Sequence, residues 1–144
     1  MEHGGTFRLD VVKPDGPVLS ETVEECVVPG ALGFFGVLPM HAPFLTLLGT
    51  GELMYRTGTT RRYLAVSGGF CEVRPDRVTV LAERAERAED IDPVRAIRAR
   101  DRAEEHVQRA LRGAPPEEID AARADERRAR VRLEVASKQS GVSP

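Results

Sequence analysis

Over the first 88 residues, apolar and polar positions alternate in short runs; after that, apolar residues recur every three or four positions. In FRLDVV (7–12), Phe7, Leu9 and Val11 alternate with Arg8 and Asp10, the period of a strand with one wet face. KPDGPV then supplies turn residues, and ETVEECVV runs up to a stop at Pro29-Gly30. ELMYR and RRYLAV are separated by TGTT, a hairpin-like loop. FCEVR and RVTVLA flank Pro75-Asp76, where proline presets φ for the first turn position. Short strands at this spacing predict an antiparallel β-sandwich or barrel.

ERAEDIDPVRA (86–96) puts a proline into a run of strong helix formers, where an interior proline costs about 3 kcal/mol. Asp92 is a good N-cap, and Pro93 then occupies the first helical position, where its missing N–H is no loss. The proline therefore starts a helix, predicted from 93 to about 112. Ala96, Ala99, Ala103, Val107 and Ala110 form one narrow stripe of small residues along it. GAPPEE (113–118) is a stop, a turn and a restart. A second helix from about 117 to 137 carries Ala122, Ala129, Leu133 and Ala136 on one side. The two form an antiparallel hairpin whose thin apolar face should dock weakly. The last residues, SKQSGVSP, read as a frayed tail.

Composition switches at the same seam. All seven aromatic residues and eleven of the thirteen glycines lie in the first 70 positions. Residues 1–88 carry 20 charges, and the 56 residues from 89 to 144 carry 24. The expected organisation is α+β: a sandwich domain over 1–88 and a helical domain over 89–144. A net charge of -2 argues against a nucleic-acid binder with a broad basic face. Cys26 and Cys71 are too few for a disulfide framework and have no metal spacing, so both read as buried thiols. The start lacks the basic and apolar regions of a secretory signal, and no apolar run reaches the ~20 residues of a membrane span.

Catalytic motifs are absent. No phosphate-binding G-x-x-x-x-G-K-[ST] occurs, and Gly49 and Gly51 do not extend to a dinucleotide fingerprint because residue 54 is Met. Ser67, in AVSGG, lacks the first glycine of a nucleophile elbow and reads as a strand-end or turn residue. His3, His41 and His106 have no ligand spacing, so no metal site is expected. From the residues alone the chain reads as a binding or regulatory module.

Several stretches together resemble the epsilon subunit of bacterial F-type ATP synthases: VVKPDGPV (11–18), GVLPMHAPFL (36–45), GTGELMYR (49–56), AVSGGFCEVRPDRVTVLAERAERAEDID (65–92), then the Arg/Ala/Glu-rich hairpin. The resemblance spans about 6–137. It implies an N-terminal sandwich of about ten strands and a C-terminal two-helix hairpin. It also implies a non-catalytic subunit of the rotor, or central stalk, in a proton-translocating enzyme. The sandwich would bind the gamma subunit and rest on the ring of c subunits. The hairpin would be permissive when folded, and would inhibit ATP hydrolysis when extended toward the alpha/beta head. The resemblance further implies peripheral attachment to the cytoplasmic face of the bacterial plasma membrane, through the complex. The loop 30–43 matches the region that touches the ring, with Phe34, Leu38, Pro39, His41 and Pro43 as candidate gamma or c-ring contacts. Phe34 stands where many members carry an acidic residue. One of Phe34 and Phe35 is expected in the core, and an exposed one would mark an interface.

Some members of that family bind ATP on the folded hairpin through an I-D-x-x-R-A motif. Ile91, Asp92, Arg95 and Ala96 match it, with Glu86, Arg102, Arg128 and Arg132 at the accompanying positions. The resemblance thus implies ATP as a regulatory ligand, with no cofactor required. Physically, Arg95 and Arg102 share a helix face, as do Arg128 and Arg132, and forked guanidinium groups suit a triphosphate. The plainer reading is a solvated helix face, laced by pairs such as Arg100–Glu104 and Glu105–Arg109 at about 0.2–0.5 kcal/mol each. A free-standing nucleotide-binding regulator on the same fold is the alternative function.

Overall fold

A computed structural model describes residues 5–138. Among them, eight strands precede two helices. The strands are β1 (Phe7–Lys13), β2 (Gly16–Val23), β3 (Glu25–Gly30), β4 (Gly33–Val37), β5 (Phe44–Leu47), β6 (Thr50–Thr57), β7 (Thr60–Arg74) and β8 (Arg77–Arg87). A 3-10 turn (Ala88–Asp90) leads to α1 (Pro93–Ala110) and α2 (Pro116–Ala136). Alternation sets the buried face as expected: Phe7, Leu9 and Val11 in β1 and Leu53 and Tyr55 in β6 point inward.

The strands run in the order β2-β1-β8-β7-β6-β3-β4, with β5 also on β7. Neighbours are antiparallel except for β1 and β8, which pair in parallel. This one sheet folds over itself. Tyr55 in β6 donates to Glu21 in β2 at 3.2 Å, and Arg87 donates to the Val18 carbonyl at 2.8 and 3.0 Å, so strands far apart in the order face each other. The bend lies in β7 and β8. Gly68 and Gly69 have φ of +73° and +98°, and a β-carbon on Gly69 would stand 1.9 Å from the Leu81 carbonyl oxygen. Across the bend the buried set shifts phase, from Leu64 and Val66 to Cys71 and Val73. Both long strands therefore serve both layers. That is why eight continuous strands stand where about ten were expected, the higher number counting β7 and β8 once per layer.

Three local expectations are corrected. Ser67 lies inside β7, paired with Thr50 and Arg84, because the glycines after it bend the strand without ending it. Pro29 and Gly30 continue β3; Pro29 is paired with Phe34 of β4, and Gly30 with Gly33. The break in ETVEECVV falls instead at Glu24, between β2 and β3. Cys26 and Cys71 are free and buried, as expected.

Asp92 caps α1, its Oδ1 accepting from Val94 N–H at 2.9 Å and Arg95 N–H at 3.3 Å, with Pro93 in the first turn. The interior is divided. One cluster fills the sandwich. A second, of Ala88, Ile91, Ala96, Val135 and Ala136, joins the hairpin to Tyr63 and Ala65 of the sheet. A third, of Val107, Ala110 and Ala122, lies at the far end of the hairpin. The expected frayed tail falls largely outside the described residues; Ser137 still hydrogen-bonds back onto α2.

Candidate functional site

The sheet face beneath the hairpin is a grid set by strand register. Thr50, Ser67 and Arg84 form one row across β6, β7 and β8, and Glu52, Ala65 and Glu86 form the row one residue pair further along. Alternation puts these side chains opposite the core: Ala85, between Arg84 and Glu86, is buried with the sandwich cluster. α2 crosses this face. Arg132 Nε donates to Glu86 Oε1 at 2.7 Å and its Nη2 to Oε2 at 3.2 Å, a forked pair. At the end of α2, Lys138 Nζ donates to Glu52 at 2.5 Å and lies 4.7 Å from the Tyr63 ring centroid.

Between these contacts α2 leaves a cavity of about 300 Å³ over Ser67 and Arg84. Its other charged walls are Glu86, Asp125, Arg128 and Arg132, and α1 contributes Ala99. Arg128 pairs with Asp125. Its Nε is buried without a hydrogen-bond partner among the described residues. A wider groove of about 650 Å³ runs along the outer side of the hairpin, but its charges cancel locally: Arg130 meets Glu104 at 2.9 Å and Glu126 at 3.3 Å. The expected helix-face pairs Arg100–Glu104 and Glu105–Arg109 stand at 3.8 and 4.0 Å.

Of the eight nucleotide-site candidates, Glu86, Arg128 and Arg132 meet in the 300 Å³ cavity. Arg95 and Arg102 are exposed, four residues before and three after the cavity-lining Ala99, which puts them on its side of α1. Neither makes an ion pair or hydrogen bond through its side chain to another described residue. Asp92 is engaged as the helix cap. Ile91 and Ala96 are packed inside the second cluster, 2% and 0% exposed.

On the sandwich, the paired aromatics separate as expected of alternating positions. Phe35 packs on the core and meets Phe44 edge-on at 5.2 Å, while Phe34 is 65% exposed. Leu38 and Pro43 are also exposed, Pro39 and His41 half-buried, and His41 Nδ1 lies 2.6 Å from the Ala42 carbonyl. Sequence reasoning missed a second apolar surface. Leu47, Phe70 and Leu81 are register partners across β5, β7 and β8, and all three face solvent. The signal was available in FLTLL, where both faces of a short strand are apolar, the mark of a strand covered on both sides. Among the described residues no helix is long and apolar enough to cross a membrane.

A family model described as the β-sandwich domain of the ATP synthase delta/epsilon chain matches residues 6–88. The ATP synthase epsilon chain of Syntrophobacter fumaroxidans is 49% identical over 132 residues, covering 92% of this chain and 96% of that one. The chain belongs to the ATP synthase epsilon-chain family. The epsilon chain of Geobacter metallireducens is 47% identical over 136 residues, 93% of this chain and 96% of its own. Among solved structures, a chain of the Euglena gracilis mitochondrial ATP synthase superposes with a TM-score of 0.75 at 22% identity, covering 95% of this chain and 86% of that one. One from the central stalk and c-ring of the Tetrahymena thermophila enzyme does so at 0.59 and 9% identity, covering 92% and 97%. At such identities these two establish the shared fold. As an ATP synthase epsilon-family subunit, the chain has an α+β architecture of sandwich followed by two helices.

Proposed function

We propose that this epsilon-family chain is a non-catalytic central-stalk subunit of a proton-translocating ATP synthase. Its sandwich joins the gamma subunit to the ring of c subunits, and its hairpin restrains ATP hydrolysis when it extends toward the alpha/beta head. ATP acts as a regulatory ligand that holds the hairpin docked. The chain sits at the cytoplasmic face of the bacterial plasma membrane through its partners. The exposed Phe34, Leu38 and Pro43, the half-buried Pro39 and His41, and the row Leu47, Phe70 and Leu81 are the partner surfaces. Apolar rows of this kind are shielded in an assembly. The Euglena and Tetrahymena neighbours come from F1/c-ring and central-stalk/c-ring assemblies, which supports this reading.

One observation carries the hairpin half of the proposal: the seam between hairpin and sandwich holds its own small cluster and a cavity walled by Glu86, Arg128 and Arg132. A ligand bound only to the docked form stabilises it by RT ln(1 + [L]/Kd), about 2.7 kcal/mol at 100 times Kd. That is enough to decide between two states a few kcal/mol apart. Calorimetric titration of the full chain with ATP tests this. Saturable binding that weakens in Arg95→Ala is expected, and no heat at millimolar ATP would remove ATP from the proposal. Hydrolysis by the assembled enzyme, with the hairpin intact and deleted, tests the inhibitory role; equal rates would exclude it.

A further inference from the structure

Of the cavity's cationic residues, Arg84 is the one that the family motif leaves unused. It stands two residues before Glu86 on β8, hence on the same face of the strand, and beside Ser67 across the β7 pairing. The cavity brings three guanidinium groups together, Arg84, Arg128 and Arg132, against two carboxylates, Asp125 and Glu86. Those carboxylates are taken by Arg128 and Arg132. Arg84 has no hydrogen bond or ion pair through its side chain to another described residue. A wall serving only to seat the helix gains nothing from a third cation facing two others, because like charges at close range repel.

The remaining polar groups are short of acceptors in the same way. Arg128 Nε is buried with no hydrogen-bond partner among the described residues. Thr50 Oγ1 and Ser67 Oγ are 2.8 Å apart, so one hydroxyl donates to the other and the second proton is left over. An excess of donors around a cavity at the small end of ligand-pocket volumes suits an oxyanion with several oxygens.

We propose that Arg84 is a phosphate-binding residue of this cavity, so that a nucleoside polyphosphate is gripped between the sheet and α2 rather than by the hairpin alone. The inference rests on the nucleotide reading of the site. It adds that the ligand touches both halves of the molecule, with Arg84 and the Ser67 hydroxyl from the sandwich and Arg128 and Arg132 from the helix. Binding then fastens one to the other directly.

The test is calorimetric titration of the full chain with ATP and, separately, with inorganic tripolyphosphate, on wild type, Arg84→Ala and Arg84→Lys. The expected result is at least a tenfold weaker Kd in Arg84→Ala. Arg84→Lys should recover part of the loss, since an ammonium supplies charge without the fork. The unfolding midpoints of the unliganded variants should match wild type, because the Arg84 side chain makes no hydrogen bond or ion pair to another described residue. Unchanged ATP affinity in Arg84→Ala overturns the proposal and leaves the nucleotide reading standing. Arg84-dependent binding of tripolyphosphate without ATP binding keeps the anion site and removes the nucleotide. No binding of either removes both.

Discussion

Leucine, valine, phenylalanine and tyrosine fill the sandwich in one continuous cluster, whereas three alanines, one valine and one isoleucine join the hairpin to it. Fully burying a leucine or valine is worth about 1.5–3 kcal/mol, and an alanine offers only a methyl group. The polar ties differ likewise. The sandwich is laced by backbone ladders through all eight strands. Two charged side chains of the hairpin, Arg132 and Lys138, reach carboxylates of the sheet, and both pairs are part-exposed. Exposed pairs contribute about 0–1 kcal/mol. The hairpin is thus seated on the sandwich by far smaller and more exposed contacts than those that hold the sandwich together.

Breaking the sandwich should have the largest consequences. Burial raises the Cys26 thiol and pushes Cys71 and Tyr55 up to about 12, with Cys71 and Glu25 adding repulsion at Cys26 and Glu21 adding it at Tyr55. Because the folded values lie above the ordinary 9.0 and 10.0, the neutral forms favour the fold. Their contribution is complete below about pH 9 and is lost as pH rises toward 12, at about 1.36 kcal/mol per unit per group. Urea midpoints at pH 8 and pH 11 should differ by a few kcal/mol of stability, and Cys71→Val should reduce that difference. Leu53→Ala, at a fully buried position, should lower stability by about 2–5 kcal/mol in the same assay at pH 8. Gly69→Ala should cost more than the about 1–3 kcal/mol of its positive φ alone, since the Leu81 carbonyl also excludes a β-carbon.

Loosening the hairpin should look different. Val135→Ala removes two carbons from the second cluster, about 1.6 kcal/mol by burial. It should raise amide exchange in α2 while leaving exchange in β6 and β7 near wild type; an equal rise in both would mean that the two units open together. Lys138→Ala should cost under about 1 kcal/mol, and its effect on α2 exchange should fade in high salt, as screening already weakens the pair.

Local chemistry made much of this legible. The cap at Asp92, the proline after it and the alternation in β1 and β6 each specify their own geometry, and the structure has all three. The bend in β7 was not legible, because Gly68 and Gly69 end a strand as readily as they turn one; the outcome depends on β8 continuing alongside. The row Leu47, Phe70 and Leu81 joins residues far apart in sequence, and only register brings them together. The partners of Arg128 and Arg132 depend on where α2 comes to rest on the sheet, a tertiary fact. Arg84 was within reach, since period two ties it to Glu86, but the alignment of a motif directs attention to matching positions and away from their neighbours.

The unbroken course of β7 through its glycine bend has a mechanical consequence. Phe70, on the outward apolar row, and Ser67, in the wall of the cavity under α2, are separated only by Gly68 and Gly69, and β8 spans the same interval from Leu81 to Arg84. No slack loop intervenes. If a subunit seated on Phe70 and Leu81 applies torque, the floor on which the helices rest must turn with it as one stiff plate.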